Sequence, residues 1–167
     1  MYLGEKMIIK SDRLMLKALT LDELIQLQNK RSIKGSYKQD QSEIGPGFLN
    51  AIDIKVEKMR RDNQHHWLTY WVIINAKSNE AMGFIGFKGL ENSTAEIGYG
   101  ISKCFEGHGY MSEAVGCLTH WAFKNGCKTV TATKVLRDNY GSQRVLEKNH
   151  FSITEDGDTK SYALNRR

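Results

Sequence analysis

Apolar positions along the chain change their period several times, and each change marks a predicted element. Ile8 to Leu19 reads as a strand, with a polar break at Ser11-Asp12-Arg13. Thr20-Leu21-Asp22-Glu23 has capping-box spacing: the threonine hydroxyl can satisfy an orphan amide while the glutamate reaches back. The helix it starts is expected to bury Leu21, Leu24 and Ile25 on one face. Gly35 to Gly47 is polar and glycine-bearing and predicts a loop, and Phe48 to Arg61 predicts a second helix. Trp67 to Asn75 is aromatic and β-branched, as strands are. Lys77 to Glu80 is the turn to a returning strand, Met82 to Leu90, and Glu91-Asn92-Ser93 is the next turn.

The strand Thr94 to Ser102 carries the most information. Ala95, Ile97, Tyr99 and Ile101 fall on one face, and Glu96, Gly98, Gly100 and Ser102 on the other. One face is bulky. The other holds a carboxylate and two positions without side chains, and glycine inside a strand marks a bulge or a close approach. A glycine-bearing turn, Glu106-Gly107-His108-Gly109-Tyr110, leads into a helix from Met111 to Asn125 with Gly126 as its stop. Thr129 to Val135 is a strand. Asp138 or Asn139 caps a short helix through Lys148 that buries Val145 and Leu146, and Phe151 to Ile153 with Ser161 to Leu164 closes the sheet. These elements predict an α/β (α+β) fold over residues 1–167 as a single domain. Its central sheet is mixed and mostly antiparallel, with about six to seven strands flanked by about four helices.

Composition changes this picture little. One proline and ordinary apolar content place the chain in the globular class. No apolar run is long enough to span a bilayer and no signal-peptide order opens the chain, so the expected location is the cytoplasm. The three cysteines, Cys104, Cys117 and Cys127, form no C-x-x-C pair, and the histidines show no ligand spacing, so no metal is expected. His65-His66 is expected in a loop. The net charge of +5 suits a phosphate-rich ligand, a nucleic acid or plain solubility alike. The run Lys55, Lys58, Arg60, Arg61 is expected to be a solvated helix face rather than a nucleic-acid contact.

Chemistry concentrates around residues 94–125. A helix start exposes unpaired amides and the positive end of the macrodipole, and glycines before it let an anion approach the backbone. The spacing is neither G-x-G-x-x-G nor G-x-x-x-x-G-K-[ST], so the usual dinucleotide and nucleotide-hydrolase motifs do not fit. The plain alternative is that Gly107 and Gly109 only make a tight turn.

The run Ala95-Glu96-Ile97-Gly98-Tyr99-Gly100-Ile101, followed by Phe105-Glu106-Gly107-His108-Gly109-Tyr110-Met111-Ser112-Glu113-Ala114, resembles the acetyl-CoA signature of the GNAT superfamily of N-acetyltransferases. Ser11-Asp12-Arg13-Leu14-x-Leu16-Lys17 resembles the first strand of the branch that includes ribosomal-protein N-terminal acetyltransferases, and Asn139-x-x-Ser142-x-x-Val145-Leu146-Glu147-Lys148 its late helix. The resemblance implies that the backbone of Glu106, Gly107, His108, Gly109, Tyr110 and Met111 binds the pyrophosphate of CoA. It implies that Gly98, Tyr99, Gly100 and Ile101 pair with the pantetheine arm and the acetyl carbonyl, and that Asn139 contacts the pantetheine. Three positions depart from the superfamily: Glu106 replaces an Arg or Gln and is expected to point away, Leu146 occupies the site of a frequent tyrosine acid, and His150-Phe151 replaces Gly-Phe.

Amide formation from a thioester needs a neutral amine, a stabilised oxyanion and a proton for the departing thiolate. Glu96 is the candidate base, with a strand carboxylate paired to a nearby cation as the alternative. Ser142 is the candidate donor to the thiolate, with an amide-capping hydroxyl as the alternative. No partner base activates Cys104, so direct attack in a ternary complex is preferred to an acyl-cysteine. The expected reaction is acetyl transfer from acetyl-CoA, a cosubstrate, to a primary amine, either a protein N-terminus or a small amine. Residues 20–66 shape the acceptor pocket, and the protein is a monomer or homodimer without membrane contact. A non-catalytic CoA-binding sensor on the same fold is the alternative function. A basic nucleic-acid-binding domain lacks motif support.

Overall fold

The computed structural model describes residues 7–29 and 46–167. The predicted loop from Gly35 lies outside them up to residue 45. Eight strands form one sheet in the order β1-β2-β3-β4-β5-β6-β8-β7, where β1 is Ile8–Lys10, β2 Leu14–Ala18, β3 Tyr70–Asn75, β4 Ala81–Phe87, β5 Thr94–Ile101, β6 Thr129–Leu136, β7 Ser152–Asp156 and β8 Thr159–Asn165. Every neighbouring pair is antiparallel except β5 and β6. The five helices among the described residues are α1 Leu21–Gln28, α2 Pro46–Arg61, α3 His65–Leu68, α4 Tyr110–Lys124 and α5 Tyr140–Lys148. No helix among them is long and apolar enough to cross a membrane.

The element counts exceed expectation for two local reasons. The polar break at Ser11-Asp12-Arg13 turns the first predicted strand into two, β1 and β2, paired from Ile8–Lys17 to Lys10–Met15. The second reason is a correction. His65 to Leu68 forms a short helix instead of a loop and a strand start, closed by the Thr69 amide on the His65 carbonyl. There Trp67 packs on Trp121 at 4.7 Å between ring centres, while Leu68 is buried on the opposite face of the sheet. A straight strand could serve both faces only by alternation, and here the turn does it instead.

Alternation in β2 and β3 feeds two cores. Leu14, Leu16, Trp71 and Ile73 face α4 and α5, with Met111, Ala114, Val115, Leu118 and Leu146. Met15, Val72 and Ile74 face α1 and α2, with Leu24, Leu27, Ile52, Val56 and Met59. The capping box of α1 is present as expected, though Leu24 and Leu27 are its buried residues while Leu21 and Ile25 lie at the margin. Glu23 also pairs at 3.0 Å with Lys17, which is nearly buried. Gly126, at φ +98°, ends α4 as predicted: the Cys127 amide reaches back to the Ala122 carbonyl. His150, standing where the resembled family has glycine, adopts φ +66° and ends α5 with the same bond pattern.

The single parallel pair decides where a cleft opens. β5 and β6 pair only over Thr94–Glu96 and Thr129–Thr131. Beyond them β6 bulges between Ala132 and Val135, where Lys134 takes φ +55°, and follows β8. Ile97–Ile101 therefore keeps β4 on one side and no strand on the other. The helices that follow the two strands, α4 and α5, start on either side of this fork.

Candidate functional site

A cleft of about 700 Å³ fills the fork. Its floor is Tyr99, Gly100 and Ile101 from β5. One wall is the turn and first residues of α4, between Phe105 and Ser112, and the other is one side of α5 with its cap, between Asp138 and Lys148. That volume lies within the usual range of small-molecule sites.

The turn wall is built for an anion. Gly107 and Gly109 both adopt φ +78°, a conformation that costs a side-chain-bearing residue about 1–2 kcal/mol. Gly109 is the N-cap of α4, and the first helical bond runs from the Glu113 amide to its carbonyl at 3.1 Å. The amides of Tyr110, Met111 and Ser112 precede that bond, so helix geometry leaves them without intrahelical partners. The helix dipole adds a partial positive charge there. Glu106 is exposed at the rim and His108 is exposed beside it.

On the opposite wall, Asn139 caps α5 through its Oδ1, which accepts the Ser142 amide at 3.1 Å. This leaves the Ser142 hydroxyl for another partner, the Tyr99 hydroxyl at 2.9 Å. The sequence places Tyr99 on the core face of its strand; in the structure its tip crosses the cleft floor to reach α5. Burial pushes the Tyr99 phenol up despite the hydrogen bond to Ser142, so it stays neutral, and either hydroxyl of the pair can donate to the other. This link has no local sequence signal, because its two members are 43 residues apart.

Of the predicted site residues, Tyr99, Gly100, Ile101, Glu106, Gly107, Gly109, Tyr110, Met111, Asn139 and Ser142 line the cleft together, while Glu96, Gly98 and His108 do not. Glu96 sits farther down β5 on the α1–α2 face. Its carboxylate accepts from Lys88 at 3.0 Å and from the Thr133 hydroxyl. Burial opposes its ionisation, but the Thr133 and Lys88 hydrogen bonds and the charges of Lys88 and Lys134 outweigh that and lower its pKa.

Gly98 and Gly100 lie on the same face as Glu96, and a Cβ at either would meet nothing within 4 Å. Across the ladder they face Gly86 and Phe84. Phe84, Phe48 and Tyr70 cluster at centroid distances of 4.7–5.9 Å beside this open strip. Lys55 corrects the expectation of a solvated face. It is buried, its Nζ donating to the carbonyls of Leu68 at 3.0 Å and Phe87 at 2.8 Å and lying 4.4 Å over the Tyr70 ring. Its spacing from Ile52 and Met59, three before and four after, is the signal that puts it on the buried face of α2.

Arg13, which sequence reasoning gave no role of its own, reaches from the link between β1 and β2 to hold the turn. Its Nη1 donates to the His108 carbonyl at 2.9 Å, its Nε to Glu113 at 2.7 Å, and its guanidinium stacks 4.5 Å from the Tyr110 ring centre. Cys104 is exposed, Cys117 half-buried and Cys127 buried. Among the described residues no group of three or more His, Cys, Asp or Glu is placed to hold a metal ion.

The profile of the acetyltransferase (GNAT) domain family matches residues 13–152. The chain is 32% identical over 108 residues to the uncharacterized N-acetyltransferase YjdG of Bacillus subtilis, covering 64% of each. It is 35% identical over 79 residues to the ribosomal-protein-serine acetyltransferase of Escherichia coli, covering 46% of this chain and 44% of that protein. The alignments thus span less than two thirds of these relatives. In fold, the chain is similar to RimL, a ribosomal alpha-N-protein acetyltransferase, with TM-score 0.66 at 24% identity over 98% of this chain and 96% of that one. It is also similar to an acetyltransferase of the GNAT family from Bacillus anthracis, with TM-score 0.63 at 19% identity over 95% and 98%. Another structure of RimL is a complex with coenzyme A.

Proposed function

Because the chain belongs to the acetyltransferase (GNAT) domain family, we propose that it is an acetyl-CoA-dependent N-acetyltransferase acting on a primary amine. The observation that carries this reading is the fork between β5 and β6, where an unpaired strand edge and the amides at the start of α4 line one cleft. The cleft fits CoA in kind. A diphosphate suits glycines at positive φ before a helix N-terminus, and an arm of amides suits a strand edge with free donors and acceptors.

The residues divide the work. Amides from Gly107 to Met111 hold the pyrophosphate. The backbone of Gly98 to Ile101 pairs with the pantetheine arm, and a β5 amide stabilises the developing oxyanion. Asn139 flanks the arm. The acceptor amine enters over the open glycine strip, between the Phe48–Phe84–Tyr70 cluster and Glu96. Glu96 takes the amine proton as nitrogen bonds to the acetyl carbon. Ser142, held by Tyr99, donates a hydrogen bond to the thiolate as the carbon–sulfur bond breaks. Leu146, where the superfamily often has a tyrosine acid, is fully buried in the core, so the Tyr99–Ser142 pair is the hydroxyl source on this wall.

The protein is proposed to act in the cytoplasm on a protein N-terminus or a small amine. Thiol release from acetyl-CoA is to be measured against a panel of peptides with free N-termini and of small amines, after CoA binding has been established calorimetrically. Turnover with at least one amine is expected. Binding without turnover on any of them would favour a CoA-binding sensor, and lack of binding would remove the cofactor assignment.

A further inference from the structure

The turn that begins α4 is not held by its own sequence. Gly107 and Gly109 give it freedom, and no side chain caps the helix from position 109. Flexible glycine turns pay a high entropic cost to bind in one geometry, so something else must order this one. Among the described residues, Arg13 donates a side-chain hydrogen bond to it. It arrives from the tight link between β1 and β2, about 95 residues away in sequence.

Arg13 is itself fixed on several sides. Glu113, one turn into α4, accepts from the Ser11 hydroxyl at 2.6 Å, the Arg13 amide at 3.0 Å and Arg13 Nε at 2.7 Å. With the carboxylate spent on these donors, its charge is balanced at the end of the helix where an anion must approach. The remaining arm of the guanidinium reaches the His108 carbonyl. Its plane lies over the Tyr110 ring.

The direction of that last bond matters. A trans peptide is planar, with its carbonyl and its amide pointing opposite ways. Holding the His108 carbonyl toward β2 therefore turns the Gly109 amide away from β2. Gly109 lines the cleft and His108 does not. We propose that Arg13 is the positioning residue of the cofactor turn: by fixing the His108–Gly109 peptide plane, it aims the Gly109 amide at the CoA pyrophosphate. This rests on the CoA reading above. It assigns Arg13 no contact with the reacting atoms.

The test compares CoA with S-acetylpantetheine, which has the arm but no diphosphate, on wild type, Arg13→Gln and Arg13→Lys. Binding is followed by calorimetry and by the amide resonance of Gly109. Arg13→Gln is expected to weaken CoA about tenfold, the scale of one well-placed hydrogen bond to an ionic group. S-acetylpantetheine binding is expected to be unchanged, and the Gly109 resonance no longer to shift on CoA addition. Arg13→Lys, which keeps the charge but not the fork, serves as a milder variant with loss in the same direction and of smaller size. Equal loss for both ligands would mean a general structural role, and wild-type CoA affinity in both variants would mean no role; either overturns the proposal. Failure of the wild-type chain to bind CoA would overturn the cofactor reading and this inference with it.

Discussion

Glu96 shows how one carboxylate can be both paired and available. Its partners, Lys88 and Thr133, keep it ionised below the usual carboxylate range, so at neutral pH it is a ready acceptor but a weak base. In the proposed reaction, proton transfer to it becomes favourable only as the amine nitrogen turns acidic during attack. Glu96→Gln is expected to slow transfer about a hundredfold at neutral pH while CoA affinity stays near wild type. Equal rates across the pH range would show that Glu96 is not the base. Linkage runs the same way: the lowered folded pKa contributes stability above the unfolded value of 4.5, lost as pH falls through the folded one. A strand carboxylate paired to a nearby cation is legible in the sequence, but that the cation is Lys88 is not. Thr133, on the diverging strand, has no signal that a single sequence carries.

Among elements, the β5–turn–α4 unit concentrates the special geometry. Its turn is legible because two glycines precede a helix start, and both take the positive φ that this placement suggests. Gly109→Asp is expected to weaken CoA binding by well over tenfold. It sets a carboxylate beside a diphosphate, strains φ by about 1 kcal/mol or more, and competes with the His108 carbonyl for Arg13, whose Nη2 lies 3.4 Å from the added Cβ. Calorimetric titration of the folded variant checks it, and unchanged affinity would remove the turn from the site. Helix ends were legible to the same degree. Gly126 stops α4 as its residue type requires, while His150 stops α5 in a left-handed conformation that its type only tolerates.

At the scale of the molecule, two cores share one sheet and Lys55 sits where α2 meets it. Burial, then Lys58 and Lys88, lowers its pKa to about 7, while two carbonyls accept its hydrogen bonds and its Nζ lies over the Tyr70 ring. Between about pH 7 and 10.5 the unfolded chain binds the proton that the folded chain gives up. Stability should therefore rise with pH across that window and be lowest, for this group, below it. Urea denaturation at pH 7 and pH 9 should show a gain for the wild type that is smaller or absent in Lys55→Met. An identical pH dependence in the two proteins would show that Lys55 stays charged in the fold.

Local periodicity and turn chemistry determined the strand and helix order, the α1 capping box, the α4 stop and the glycine turn, because each depends on residues within a few positions of one another. Most of the residues singled out by the family signature line the cleft, while Glu96, Gly98 and His108 do not. Only the tertiary structure decided that β5 and β6 part after Glu96, that Tyr99 meets Ser142, that the Lys55 ammonium meets the carbonyls of Leu68 and Phe87, and that Arg13 holds the His108 carbonyl. These are contacts between segments far apart in the chain, set by sheet register and by which face each helix covers, and a pattern read along one sequence contains neither.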